Sequence, residues 1–141
     1  MSGITNLNEI LAHMDPILKE GEYVFCTFAT LSAEELETLR PICLFEEEEG
    51  KSIIIHRNIA DCNNISYESI YKLITLRVNS SLESVGLTAA VSAVLTELDI
   101  SANVVAAFYH DHIFVPADRA HEALRAIKSL VNKSVFEHEL P

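Results

Sequence analysis

The sequence predicts an α+β fold in which antiparallel sheets carry helices on one face, and it predicts that arrangement twice along the chain. Three observations support this. Short runs of β-branched and aromatic residues alternate with runs whose apolar residues recur at helical spacing. Each half reads strand, helix, strand, strand, helix. The helices are too short to cover both faces of a sheet, so the bare face needs another layer, from the other half or from a second copy of the chain. This order divides the chain into an N-terminal half over residues 1–68, a C-terminal half over 69–134 and a tail over 135–141.

The first segment opens with Asn6 and Glu9, a helix cap and its third-position partner. Leu7, Ile10, Leu11, Met14 and Leu18 follow on one helical face, Asp15-Pro16 reads as a restart of that helix, and Gly21 stops it. Tyr23 to Phe28 is a strand by composition. Ser32-Ala33-Glu34-Glu35-Leu36 starts like a capped helical turn. Strands over 41–47 and 51–57 flank Glu46-Glu47-Glu48-Glu49, which reads as the solvated tip of a hairpin. The stretch 58–69 has little periodicity and suits a junction.

In the second half, Tyr71 to Val78 reads as a strand, and Asn79-Ser80-Ser81 as a turn with Ser81 as a cap. Leu87, Val91, Val94, Leu95 and Leu98 recur at helical spacing. Strands over 102–109 and 112–115 are joined by an expected tight turn at His110-Asp111. Pro116 and Asp118 open a last helix, with Ala120, Ala123, Leu124, Ile127, Leu130 and Val131 on its apolar face. From Ser134 onward the tail is expected to fray, and no final strand is visible after Lys133. That strand would come from the other half, from a partner chain, or not exist.

Composition excludes several function classes. With 49% hydrophobic residues the chain can bury a core, so it is not disordered. No apolar run reaches the about 18 residues that a membrane span needs, and the start of the sequence lacks the pattern of a secretory signal. The net charge is -11 and the ten Lys and Arg residues are scattered, so neither nucleic acid nor an anionic membrane surface is an expected partner. Cys26, Cys43 and Cys62 form no CxxC pair and read as reduced thiols, which makes a cytoplasmic location the expectation.

Three runs in order carry a family resemblance: 21–27 (GEYVFCT), 80–90 (SSLESVGLTAA), and 103–105 (NVV) followed by 110–116 (HDHIFVP). Together they resemble a stand-alone bacterial family of tandem ACT-domain proteins, related to aspartokinase regulatory domains. The resemblance runs from about Leu7 to Val131. It implies two ferredoxin-like halves derived from the ACT-type βαββαβ unit and a regulatory role without catalysis. It further implies a free amino acid or similar small ligand, a homodimer, and neither cofactor nor metal. The site it implies begins at the turn Asn79, Ser80 and Ser81, continues through Val85, Gly86 and Leu87, and closes on Asn103 and Val104. The turn is shorter and more polar than the Gly-containing loop usual in aspartokinase-type units.

The residue types suit that ligand. A glycine opening a helix lets an anion approach exposed N–H groups, and an asparagine offers both donor and acceptor. Competing readings are a ligand-free assembly module that pairs sheets edge to edge, and a metal-dependent enzyme using His110-Asp111-His112. A zinc site needs at least three converging ligands, and the remaining histidines form no spacing with this pair. With only four glycines, far apart, neither a Walker loop nor a dinucleotide fingerprint fits.

Overall fold

The computed structural model describes residues 6–78 and 85–139, with side chains to residue 131. In chain order the elements are α1 (Leu7–His13), β1 (Asp15–Leu18), β2 (Tyr23–Phe28), α2 (Ala33–Leu39), β3 (Cys43–Glu47) and β4 (Gly50–His56), followed by α3 (Arg57–Cys62), β5 (Tyr71–Arg77), α4 (Leu87–Glu97), β6 (Asn103–Ala106), β7 (Asp111–Pro116) and α5 (Ala120–Glu139). They form two compact units: a composite unit of Met1–Lys19 with Leu73–Pro141, and a middle unit of Glu20–Lys72.

In the middle unit the strand order is β3-β4-β2, all antiparallel, with Tyr71 opposite Tyr23 on the far side of β2. Alternation along the strands sends Val24, Cys26, Ile53 and Ile55 to the helix-covered face, where they pack with Leu39 of α2 and Ala60 of α3. The start of α2 is closed by a capping box: Ser32 Oγ accepts from the Glu35 N–H at 3.0 Å, and Glu35 accepts from the Ser32 N–H at 3.1 Å. Arg40 ends that helix in the left-handed region, with φ 46°.

The composite unit has the order β1-β5-β7-β6. Its final strand is β1, from the start of the chain, so the strand missing after Lys133 is supplied by the chain itself. Asp15 to Leu18 run antiparallel to Ile74–Arg77, and Arg77 Nη2 donates to Asp15 Oδ2 at 2.6 Å. Here the structure corrects the expected helix restart at Asp15-Pro16. A residue before proline is driven toward extended backbone, and Met14 and Asp15 lead directly into a strand. Pro16 has no N–H to donate, which an outer strand tolerates. Leu18 reaches the core from that strand rather than from a helical face.

Ile10, Leu11 and Met14 of α1, Leu87, Val91 and Leu95 of α4, and Ala120, Ala123 and Ile127 of α5 pack over Ile74, Leu76, Ile113 and Val115. Helix α5 runs to Glu139, past Ser134, where the sequence reading placed a frayed tail. No glycine or proline interrupts residues 120–139, so nothing in the backbone stops it.

One substitution and one deletion test this packing. Ile10→Ala removes a wholly buried side chain and is expected to cost about 2–5 kcal/mol in urea unfolding. Deleting residues 1–19 removes β1 and α1, and is expected to abolish the cooperative thermal transition of the composite unit.

Candidate functional site

The candidate site lies in the composite unit, where α4 begins. Gly86 is the N-cap, with φ 104° and ψ -19°, a conformation that strains any residue carrying a Cβ. Its carbonyl accepts from the Ala90 N–H at 2.9 Å, the first bond of the helix. Among the described residues no side chain caps this helix, and no acidic residue stands in its first turn. Helix α3 likewise has no side-chain cap, whereas α1 and α2 do. Asn6 Oδ1 accepts from the Glu9 N–H at 3.1 Å at the start of α1, and the Ser32–Glu35 box closes α2. Among the described residues, α4 presents its first N–H groups and its positive dipole end without an internal anion or acceptor.

Space at Gly86 is limited by Leu7 of α1. A Cβ at position 86 would lie 2.9 Å from Leu7 Cδ2. The N-terminal helix therefore forms one wall of the site. Sequence reasoning placed Leu7 on a core face and missed this role. Its only sequence signal was its position one residue past the Asn6 cap, and nothing local encodes its partner.

The other expected site residues fall into separate groups. Val85 is exposed beside Gly86, whereas Leu87 is buried in the core and only its backbone can serve a ligand. Asn103 is exposed on β6, where its Nδ2 donates to the Phe114 carbonyl at 3.3 Å and its Oδ1 has no donor among the described residues. Val104 is half-buried against the core. Asn79, Ser80 and Ser81 lie outside the described residues.

The histidine turn differs from expectation. The turn spans Ala107–His110, closed by the Ala107 N–H donating to the His110 carbonyl at 3.1 Å, and Asp111 already pairs with Ala106 as the first residue of β7. His112 Nδ1 lies 3.0 Å from Oγ1 of buried Thr75, while His110 Nδ1 is buried with no hydrogen-bond partner among the described residues. No group of three metal-ligating side chains converges among the described residues. Burial raises the Cys26 thiol pKa, which makes it a poor nucleophile.

Burial lowers the His112 pKa below its ordinary 6.5, with repulsion from His110 and Lys19 adding and Asp111 opposing. The folded chain thus holds fewer protons on His112 than the unfolded chain does, and stability falls as pH drops through about 6.5. Asp111 is shifted upward by burial and acts in the opposite sense, in the carboxylate range near its ordinary 3.8. Thermal midpoints measured between neutral pH and mildly acidic pH are expected to fall, and His112→Gln should flatten that slope. Gly86→Ala is expected to cost about 1–2 kcal/mol from its backbone conformation. Adding Leu7→Ala should relieve only the steric share, and a double-mutant cycle would read that share as coupling between the two positions.

Comparison with known proteins adds the following. Two ACT domain models match in tandem, over residues 2–72 and 68–129. No curated protein matches the chain. A Vibrio cholerae protein of unknown function, described as a possible transport protein, is 42% identical, with a TM-score of 0.81, and the match covers 92% of this chain and 99% of that one. An Agrobacterium tumefaciens protein is 12% identical over 84% of this chain and 89% of its own, with a TM-score of 0.65. The ligand-free regulatory subunit of aspartate kinase from Thermus thermophilus is 9% identical over 85% of this chain and 97% of its own, with a TM-score of 0.63. At these low identities the last two likenesses are likenesses of fold.

Proposed function

The chain belongs to the ACT-domain family, and from that premise we propose that it is a non-catalytic regulatory protein that binds a free amino acid where α4 begins. The observation that carries this reading is the start of α4 at Gly86, which no side chain caps among the described residues. The ligand carboxylate takes the place of the missing cap, accepting from the first N–H groups of α4. Leu7 and Val85 flank the ligand's side chain, which favours an apolar or small one. Asn103 Oδ1, free of any described donor, accepts from the ammonium group, and Asn79, Ser80 and Ser81 complete the polar surround.

In this reading the protein works in the cytoplasm as a homodimer, needs no cofactor or metal, and passes its signal to another protein. No helix among the described residues is long and apolar enough to cross a membrane. The amino-acid chemistry also agrees with the acidic chain. A zwitterion carries no net charge, so the protein's charge of -11 does not repel it.

A thermal-shift screen of the common amino acids tests the proposal. A ligand present at a hundred times its Kd is expected to add about 2.7 kcal/mol of stability. Asn103→Ala, on an exposed side chain, should leave the unliganded melting temperature nearly unchanged and weaken that shift. If none of the amino acids moves the transition of the wild-type protein, the reading fails.

A further inference from the structure

We propose that the first turn of α1 is a lid over the start of α4, and that an amino acid must lift Leu7 before it reaches the helix. The inference rests on the amino-acid reading of that site and adds to it how entry is controlled.

The obstruction at Gly86 belongs to one side chain. The three heavy atoms nearest to a Cβ at position 86 are Cδ2, Cδ1 and Cγ of Leu7, at 2.9, 3.6 and 3.7 Å. A capping side chain would start from that position. The branched end of Leu7 fills the space instead and, being apolar, accepts no hydrogen bond. The Ala90 N–H is the first that the helix itself satisfies, which leaves those of Leu87, Thr88 and Ala89 for a ligand. A carboxylate that takes the place of a cap therefore needs the space that Leu7 holds. At Gly50 in the middle unit the nearest atom is the Phe28 carbonyl oxygen, at 2.7 Å, which its sheet holds fixed. The end of a leucine side chain can rotate away.

The first turn of α1 is held loosely. Asn6, Asn8 and Glu9 are exposed, and among the described residues Leu7 alone attaches the turn to the core. Two hydrogen bonds return to Asn6: the Glu9 N–H donates to its Oδ1 at 3.1 Å, and the Ile10 N–H to its carbonyl at 2.9 Å. One residue later the hold changes. Ile10, Leu11 and Met14 are buried, and β1 follows directly in the sheet. A segment with few buried contacts opens locally without unfolding the rest. The lid hinges where the loose turn meets the fixed one, at Ile10.

A lid and a fixed wall have opposite consequences for binding. With a lid, affinity is reduced by the fraction of molecules in which it is open. A change that loosens the turn without touching the site then tightens binding. Asn6 offers such a change, because its side chain caps α1, is exposed and takes no part in the proposed site. Loosening a wall that the ligand merely rests against would leave binding unchanged or weaken it.

Isothermal titration of the full chain with the common L-amino acids, for wild type and Asn6→Ala, tests the lid. Loss of the cap raises the open fraction, so the variant should bind the same amino acid about three- to tenfold more tightly. Leu7→Ala, as a second variant, should speed association in NMR line shapes, and circular dichroism checks that both are folded. Hydrogen exchange on the wild type needs no ligand: the Ile10 amide should exchange at least about a hundredfold faster than that of Leu95. Equal protection at Ile10 and Leu95 would overturn the lid whether or not an amino acid binds. An amino acid that binds the wild type, and binds Asn6→Ala no more tightly, would overturn the lid alone and leave the site standing. If neither form binds any amino acid, the reading of the site fails and the lid falls with it.

Discussion

The pairing of β1 with β5 is the constraint on which the composite unit depends. Four residues, Asp15 to Leu18, complete a sheet whose other strands come from residues beyond Tyr71. The pairing anchors α1, whose Ile10, Leu11 and Met14 enter the same core as α4 and α5. Burying each such side chain contributes about 1.5–3 kcal/mol. Without the strand, α1 would have only seven residues and too few hydrogen bonds to persist alone. The Asp15–Arg77 ion pair is exposed on both sides, so it contributes little beyond fixing register.

The same constraint shapes the proposed site. Because β1 fixes where α1 ends, it also fixes where α1 begins, and Leu7 arrives against Gly86. The glycine then answers two demands at once: a left-handed backbone that starts α4, and an absent Cβ where Leu7 approaches. A bulkier residue would violate both. Among the described residues the start of α4 has no side-chain cap, and neither has that of α3, whereas α1 and α2 are capped.

Much of this was legible in the sequence, for reasons that differ by residue. Periodicity marked α4 and α5 because each buries one face at helical spacing, and the run Ser32-Ala33-Glu34-Glu35-Leu36 marked the start of α2 as a capped turn, which the structure closes with a Ser32–Glu35 box. Gly86 stood out as a single glycine opening a helix. The strand β1 did not stand out, because Leu18 falls at helical spacing from Leu11 and Met14 while Pro16 can either open a helix or sit in an outer strand. Local pattern could not choose between those; the pairing with β5, about sixty positions away, did. The turn before β7 was misplaced for a similar reason. Asp111 favours turns, yet its partner Ala106 draws it into the ladder. The pairing of Leu7 with Gly86 had no local signal at all.

The account rests on the helix terminus at Gly86 taking a carboxylate. Amide chemical shifts of the labelled protein, followed while each common amino acid is added, address that claim directly. The account predicts that at least one amino acid moves the Leu87, Thr88 and Ala89 amide signals saturably, with the Asn103 side-chain amide following. If an amino acid binds while those signals stay fixed and others move, the ligand sits elsewhere and the central claim is contradicted.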